Sequence, residues 1–239
     1  FGCVVMILFM IKKVGLLMDI DLFVQYGPML LRGLLNTVLC WIVGAAGGIA
    51  LGFVIAVAMY YGPRPLRYVL RGYIEVIRGT PFLIQLFILY YGGPNIGLRL
   101  DPVPAGILGL IIYGSPYYAE IFRAGLQAVP RGMIEAGRAM AMSEGKILRR
   151  ITLPILMVSS VPPLTNFSII LTKETAILSI VTVPELLYQV QTMSAETFAY
   201  MEAMFALALF YWGFVEVISW AGRKLEHKTN AFLSKELSA

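Results

Sequence analysis

The sequence predicts an all-α membrane protein with about five transmembrane helices, and three observations predict it. The first is composition: 59% of the 239 residues are hydrophobic and 14% charged, with a mean hydropathy of +0.78. Soluble domains are about 45–50% apolar and about 25% charged, and a soluble chain this apolar would expose large adhesive patches. The second is the length of the apolar runs. They are continuous, as spanning helices of about 20 residues require, and do not alternate as barrel strands do. The third is where the cations fall. Lys and Arg gather beside the apolar runs, on one side of the predicted topology, so the net charge of +5 reflects membrane orientation and not nucleic-acid binding.

Residues 1–29 form an N-terminal segment of unassigned status. Its apolar start, Phe1 to Ile11, is short and is followed by Lys12 and Lys13. No basic region precedes it, which argues against a cleavable signal peptide. Counting it as a span would also put both lysines outside.

The membrane domain is expected over residues 30–222. Its first span, about Leu30 to Tyr60, carries Gly44, Gly48 and Gly52 on one helical face, spaced to admit a neighbouring helix closely. A basic turn follows with Arg64, Arg67 and Arg71. The second span is expected over Pro65–Tyr91, broken or kinked at Arg78-Gly79-Thr80-Pro81. A Gly- and Pro-rich outer loop leads to the third span, about Ala105–Phe122. The stretch from Arg123 to Thr152 is too polar to span and reads as helical and cytoplasmic. The fourth span runs from about Leu153 to Leu171, and the last from about Phe198 to Trp220. Residues 223–239 form a cytoplasmic tail, and the N-terminus lies outside.

Candidate metal or redox chemistry is absent from this pattern. Cys3 and Cys40 lie in apolar stretches, and the single histidine, His227, lies in the charged tail. No phosphate-binding Gly-x-x-x-x-Gly-Lys-Ser/Thr loop occurs, so any ATP chemistry belongs to another chain.

The polar stretch reads Glu135-Ala136-Gly137, three residues, Ala141, nine residues, then Ile151-Thr152-Leu153-Pro154. It resembles the EAA motif of ABC-importer permeases, with Gly137 for the motif's second Ala and Ala141 for its Gly. Further stretches are similar to polar amino-acid permeases of that family: Arg78-Gly79-Thr80-Pro81, Tyr117 to Gly132, Lys173-Glu174-Thr175 and Val183-Pro184-Glu185-Leu186-Leu187. The resemblance implies a type I ABC importer subunit of MetI-like fold. Two permease subunits, identical or homologous, would line one pathway. Nucleotide-binding subunits carrying ATP and Mg would dock on a coupling helix at about 130–154. An extracytoplasmic binding protein would deliver an amino acid across the inner membrane.

Within that frame the coupling residues are Glu135, Ala136, Gly137, Arg138, Ala141, Arg149 and Arg150. The small ones would allow close approach to the ATPase, Glu135 would complement a helix start, and the arginines would pair with the partner. Pro154 would open the next span. Ionisable residues at membrane depth are costly and mark function, so the candidate substrate contacts are Lys173 and Glu174, with Thr172, Thr175 and Asn166. Arg78, Thr80, Pro81 and Gln85 are expected along the pathway, with Glu120 and Arg123 as a pair near its gate. A secondary, ion-coupled transporter is the alternative, but no second half repeats the first. A membrane enzyme would need a buried cluster of His, Asp, Glu or Cys, and the only histidine is in the tail.

Overall fold

The computed structural model describes residues 20–237 as helices joined by turns, with no strand among the described residues. The expectations for residues 1–17 lie outside the described residues. Helix α1 (Ile20–Tyr61) has 42 residues and starts ten residues ahead of the expected span. At 1.5 Å per residue it is about 63 Å long, roughly twice the hydrocarbon thickness, so its ends project. Helix α4 (Pro102–Gln127) packs along it.

The glycine stripe explains that packing. A Cβ at Gly44 would stand 2.8 Å from Leu110 Cβ. One at Gly52 would stand 2.6 Å from Tyr118 Cβ and 2.8 Å from the Ser115 carbonyl. Both are closer than side chains approach, so α1 and α4 touch backbone to backbone. Around this seam lies the main core, with Cys40, Leu110, Tyr118, Leu171 and Leu178 fully enclosed.

Among the described residues, three helical stretches, 21–61, 144–181 and 200–227, are long and apolar enough to cross a membrane alone, and a bent pair makes a fourth. Helix α4, the expected third span, is not among them. Its Gly106, Gly109, Gly114, Ser115 and Pro116 lower its hydropathy, but all five are buried against other helices and need not be lipophilic.

The second expected span is broken where the sequence puts the break. It comprises α2 (Arg64–Gly79) and α3 (Phe82–Phe87), which continues through a π-helical turn, Ile88–Gly92, and a 3-10 turn to Ile96; the two halves bend by 108°. Pro81 forces the preceding Thr80 into extended backbone, φ −115° and ψ 141°. Gln85 then pins the bend, its Nε2 donating to the Ile77 carbonyl at 2.7 Å and the Thr80 carbonyl at 3.0 Å. These are carbonyls that the end of α2 leaves free.

Helix α5 (Arg131–Ala139) and the single turn α6 (Glu144–Ile147) form the polar stretch. A π-helical turn, Leu148–Thr152, runs into α7 (Leu153–Glu174), with Pro154 in its first turn as expected. A 3-10 stretch, Thr175–Val181, leads to α8 (Leu186–Thr197) and then α9 (Tyr200–Leu237). The expected tail from residue 223 continues α9 without a break.

Candidate functional site

A cavity of about 520 Å³ opens between α4 and α7, closed on one side by Arg78 at the end of α2. Helix α4 contributes Tyr117, Glu120 and Ala124, and its C-cap Ala128 continues the same face, at spacings of three or four. Helix α7 contributes Ser159, Pro163 and Phe167 on the same rule. Tyr117 stacks on Phe167 with ring centroids 4.7 Å apart, and the Arg78 guanidinium lies 5.3 Å from the Tyr117 ring centroid. Glu120 faces the cavity and accepts from Arg123, whose Nε donates to Oε1 at 3.0 Å. The cavity thus offers a cation, a carboxylate and an aromatic wall. Beside it the Ser160 hydroxyl is buried against Gly125 with no hydrogen-bond partner among the described residues.

The other expected pathway residues divide. Thr80 and Pro81 are exposed at the bend. Gln85 turns back onto α2 and does not present its amide to the cavity, because the bend's free carbonyls capture it. On α7, Asn166 and Lys173 are exposed and fall on the face that carries Ser159 and Pro163, at heptad-like spacings of four, three and seven. Glu174 is half-buried, and no ion pair joins it to Lys173 among the described residues. Thr172 and Thr175 lie deeper than the other candidate contacts. Both are fully buried, and their hydroxyls donate to the helix's own Ser168 and Thr172 carbonyls at 3.1 and 2.7 Å, so they face the core and not a ligand.

The polar stretch is also rearranged relative to expectation. Glu135 is the fifth residue of α5, past the first turn, where the helix dipole no longer acts strongly on it. It is exposed, as is Ala136. Gly137 is buried: its Cβ would stand 3.1 Å from Ile151 and 3.2 Å from Ile147, so the close approach it permits is within the chain. Arg138 forms a fork on Glu144, with Nε donating to Oε1 at 2.7 Å and Nη2 to Oε2 at 3.3 Å, and is already paired. That bond holds the Glu144 carboxyl below the usual carboxylate range. Arg149 and Arg150 are exposed and make no ion pair among the described residues.

Ala141 has a geometric role the sequence did not suggest. Its φ is +56°, in the left-handed region that favours glycine. The Ala141 amide donates to Arg138 and the Met142 amide to Gly137, at 2.9 and 3.1 Å, which is a complete Schellman stop for α5. A glycine at this motif position would serve the same stop without strain.

Residues 48–231 match the family of binding-protein-dependent transport system inner membrane components. The chain belongs to that family. Among curated relatives of this permease, a probable glutamine ABC transporter permease protein of Bacillus subtilis is 34% identical over 194 residues, covering 81% of this chain and 90% of its own. The glutamine transport system permease protein of Escherichia coli is 34% identical over 203 residues, covering 84% and 93%. Among solved structures, an amino acid ABC transporter crystallised with histidines superposes with a TM-score of 0.81 at 32% identity, covering 88% of this chain and 99% of that one. The inward-facing MetNI methionine ABC transporter shares the fold, with a TM-score of 0.73 at 22% identity. The chain is therefore a membrane permease subunit of an ABC importer, with the MetI-like architecture expected from its motifs.

In this permease, Glu185 is the residue that sequence reasoning passed over. It is wholly buried and caps α8, accepting from the Leu187 and Tyr188 amides at 2.9 and 2.8 Å. The Thr37 hydroxyl of α1 and the Tyr211 hydroxyl of α9 approach the same carboxylate at 3.4 and 3.5 Å. Thr37 also accepts from the Leu186 amide, and Asn36 donates to the Pro184 carbonyl. Pro184-Glu185 ahead of an amphipathic stretch was the available signal, since an acidic residue there is an N-cap candidate.

Proposed function

We propose that this permease carries an amino acid, and that the carboxylate and ammonium of the substrate engage Arg78 and Glu120 in the cavity between α4 and α7. The observation that carries the reading is this pairing of opposite charges beside the Tyr117–Phe167 wall. Amino-acid transport in the named relatives supports it. Lys173, Glu174 and Asn166 form the outer approach to the same α7 face, and Glu120–Arg123 closes its inner end.

In the same reading the chain sits in the inner membrane with the loop between α4 and α7 and the C-terminus of α9 in the cytoplasm. It supplies no ATP chemistry. Nucleotide-binding subunits, holding ATP and Mg, dock on the exposed face of α5 through Glu135, Ala136, Arg149 and Arg150. A second permease copy or homologue completes the pathway, and an extracytoplasmic binding protein delivers the substrate. Coupling arises because docking favours one permease state over another.

The test is uptake of labelled L-amino acids by the whole complex in proteoliposomes, with ATP hydrolysis measured alongside. The unaltered complex takes up one chemical class of amino acid. Arg78→Gln and Glu120→Gln each reduce uptake, and Glu135→Ala leaves ATP hydrolysis running without transport. Uptake that is unchanged in Arg78→Gln would falsify the cavity assignment. Uptake driven by an ion gradient without ATP would return the secondary-transporter reading.

A further inference from the structure

Helix α2 carries Arg64, Arg67, Arg71 and Arg78, all exposed. At 3.6 residues per turn they fall within an arc of about 60°, and the stripe is about 21 Å long at 1.5 Å per residue. One end is the cavity, where Arg78 lies over Tyr117. The other end is the turn after α1, where Arg64, Arg67, Tyr68 and Arg71 line a small hollow of about 180 Å³. Glu75 lies at the edge of the same arc and makes no ion pair with these arginines, so the stripe keeps an excess of positive charge.

The rotation of α2 is fixed. Ile74 is buried, and the Tyr73 hydroxyl donates to the Ile112 carbonyl of α4 at 3.1 Å and meets Ser115 Oγ at 2.8 Å. The exposed apolar side chains Val69 and Val76 fall on another side. The arginine face is therefore held in the direction that Arg78 takes into the cavity. A face shared with the cavity residue cannot lie along its whole length against lipid headgroups, which makes an aqueous route the better account. A hollow of about 540 Å³ between α1 and α9, lined by Phe23, Leu34, Phe210 and Phe214, offers no polar group by comparison.

We propose that Arg78, Arg71, Arg67 and Arg64 form a relay that receives the substrate's carboxylate in the cavity and leads it out along α2 to the cytoplasm. The inference rests on the reading of this permease as an amino-acid importer. Successive sites of like charge let an anion leave one arginine for the next, so that no single site holds it tightly.

The experiment compares the unaltered complex with Arg67→Gln/Arg71→Gln and Arg67→Lys/Arg71→Lys in proteoliposomes, using the amino acid that the unaltered complex takes up fastest. The glutamine variant is expected to lose about tenfold in kcat for uptake, taking the low end of the gain that focused charge gives an ion's arrival rate at a site. Its KM for the loaded binding protein stays unchanged, and more ATP is consumed per amino acid delivered. The lysine variant recovers uptake. Wild-type kcat in the glutamine variant overturns the relay, as does failure of lysine to restore transport when both variants assemble with the ATPase. The series is repeated in phosphatidylcholine vesicles with and without phosphatidylglycerol. A glutamine defect that appears only with phosphatidylglycerol assigns the stripe to lipid headgroups and overturns the relay. No uptake by the unaltered complex overturns the importer reading itself.

Discussion

The loop between α4 and α7 and the turn between α7 and α8 both interrupt the apolar helices, and they are built in opposite ways. The first is held by one exposed ion pair, Arg138–Glu144, and by a helix stop on a non-glycine residue. The second is gathered around a single enclosed carboxylate, Glu185, that ties α1, α8 and α9 together. The difference separates a surface that must stay open to another protein from a joint that must not come apart. An exposed pair contributes little to stability because water and salt compete for both partners. A buried acceptor is costly to remove because the donors that have no other partner are then left unsatisfied.

The largest expected effect is at the joint. Glu185→Ala removes the buried carboxylate that the Leu187 and Tyr188 amides donate to, and thermal unfolding in detergent should report a loss of about 3 kcal/mol. Glu185→Asp, which can still cap a helix, should lose much less. Equal losses for the two variants would reduce the joint to simple packing. Next comes the α1–α4 seam. A Gly52→Ala methyl meets backbone atoms of Ser115 and Ala119 that cannot step aside, so the same assay should show a loss of about 1–3 kcal/mol.

At the loop the expected signs change. Ala141→Gly relieves a left-handed residue and should raise stability by about 1 kcal/mol, and Ala141→Val should lower it; a stabilising valine would contradict the backbone assignment. The smallest effect is at the ion pair. Arg138→Gln should leave the melting temperature within error. Because the pair lowers the Glu144 pKa, its contribution is present above the ordinary carboxylate range and is lost only as pH falls through the depressed value. Loop protection from protease in the unaltered protein should therefore be level from pH 8 to pH 6, and a drop in that window would show that Glu144 is not paired in solution.

Much of this was legible in the sequence, and the gaps have physical causes. The glycine spacing from Gly44 to Gly52 pointed to a tight helix contact because a small residue every fourth position opens one helical face, although glycine is also simply common in membrane helices. Pro81 announced a break, but the size of the bend depends on where the Gln85 amide finds acceptors, which is a tertiary matter. Thr172 and Thr175 look like ligands in one dimension. Helical threonines satisfy themselves on the preceding turn, and burial then decides that they face the core. Gly137 read as a docking residue because the motif treats its small positions alike, while the chain's own Ile147 and Ile151 occupy the space in front of it. The cavity residues Arg78 and Glu120 were both singled out, yet more than forty positions separate them, and it is the packing of α2 on α4 that brings them to one place.

The composition of α4 has a consequence for how the protein is made. A helix that carries Gly106, Gly109, Gly114, Ser115 and Pro116 partitions weakly into lipid by itself, and its stability comes from neighbours that exclude lipid from those residues. Helix α1 is synthesised first and presents the matching groove, so α4 can be accepted as it emerges, while α7 arrives later to cover the other side. The order of elements along the chain is thus also an order of biogenesis, in which the least lipophilic span enters the bilayer only after its host is already there.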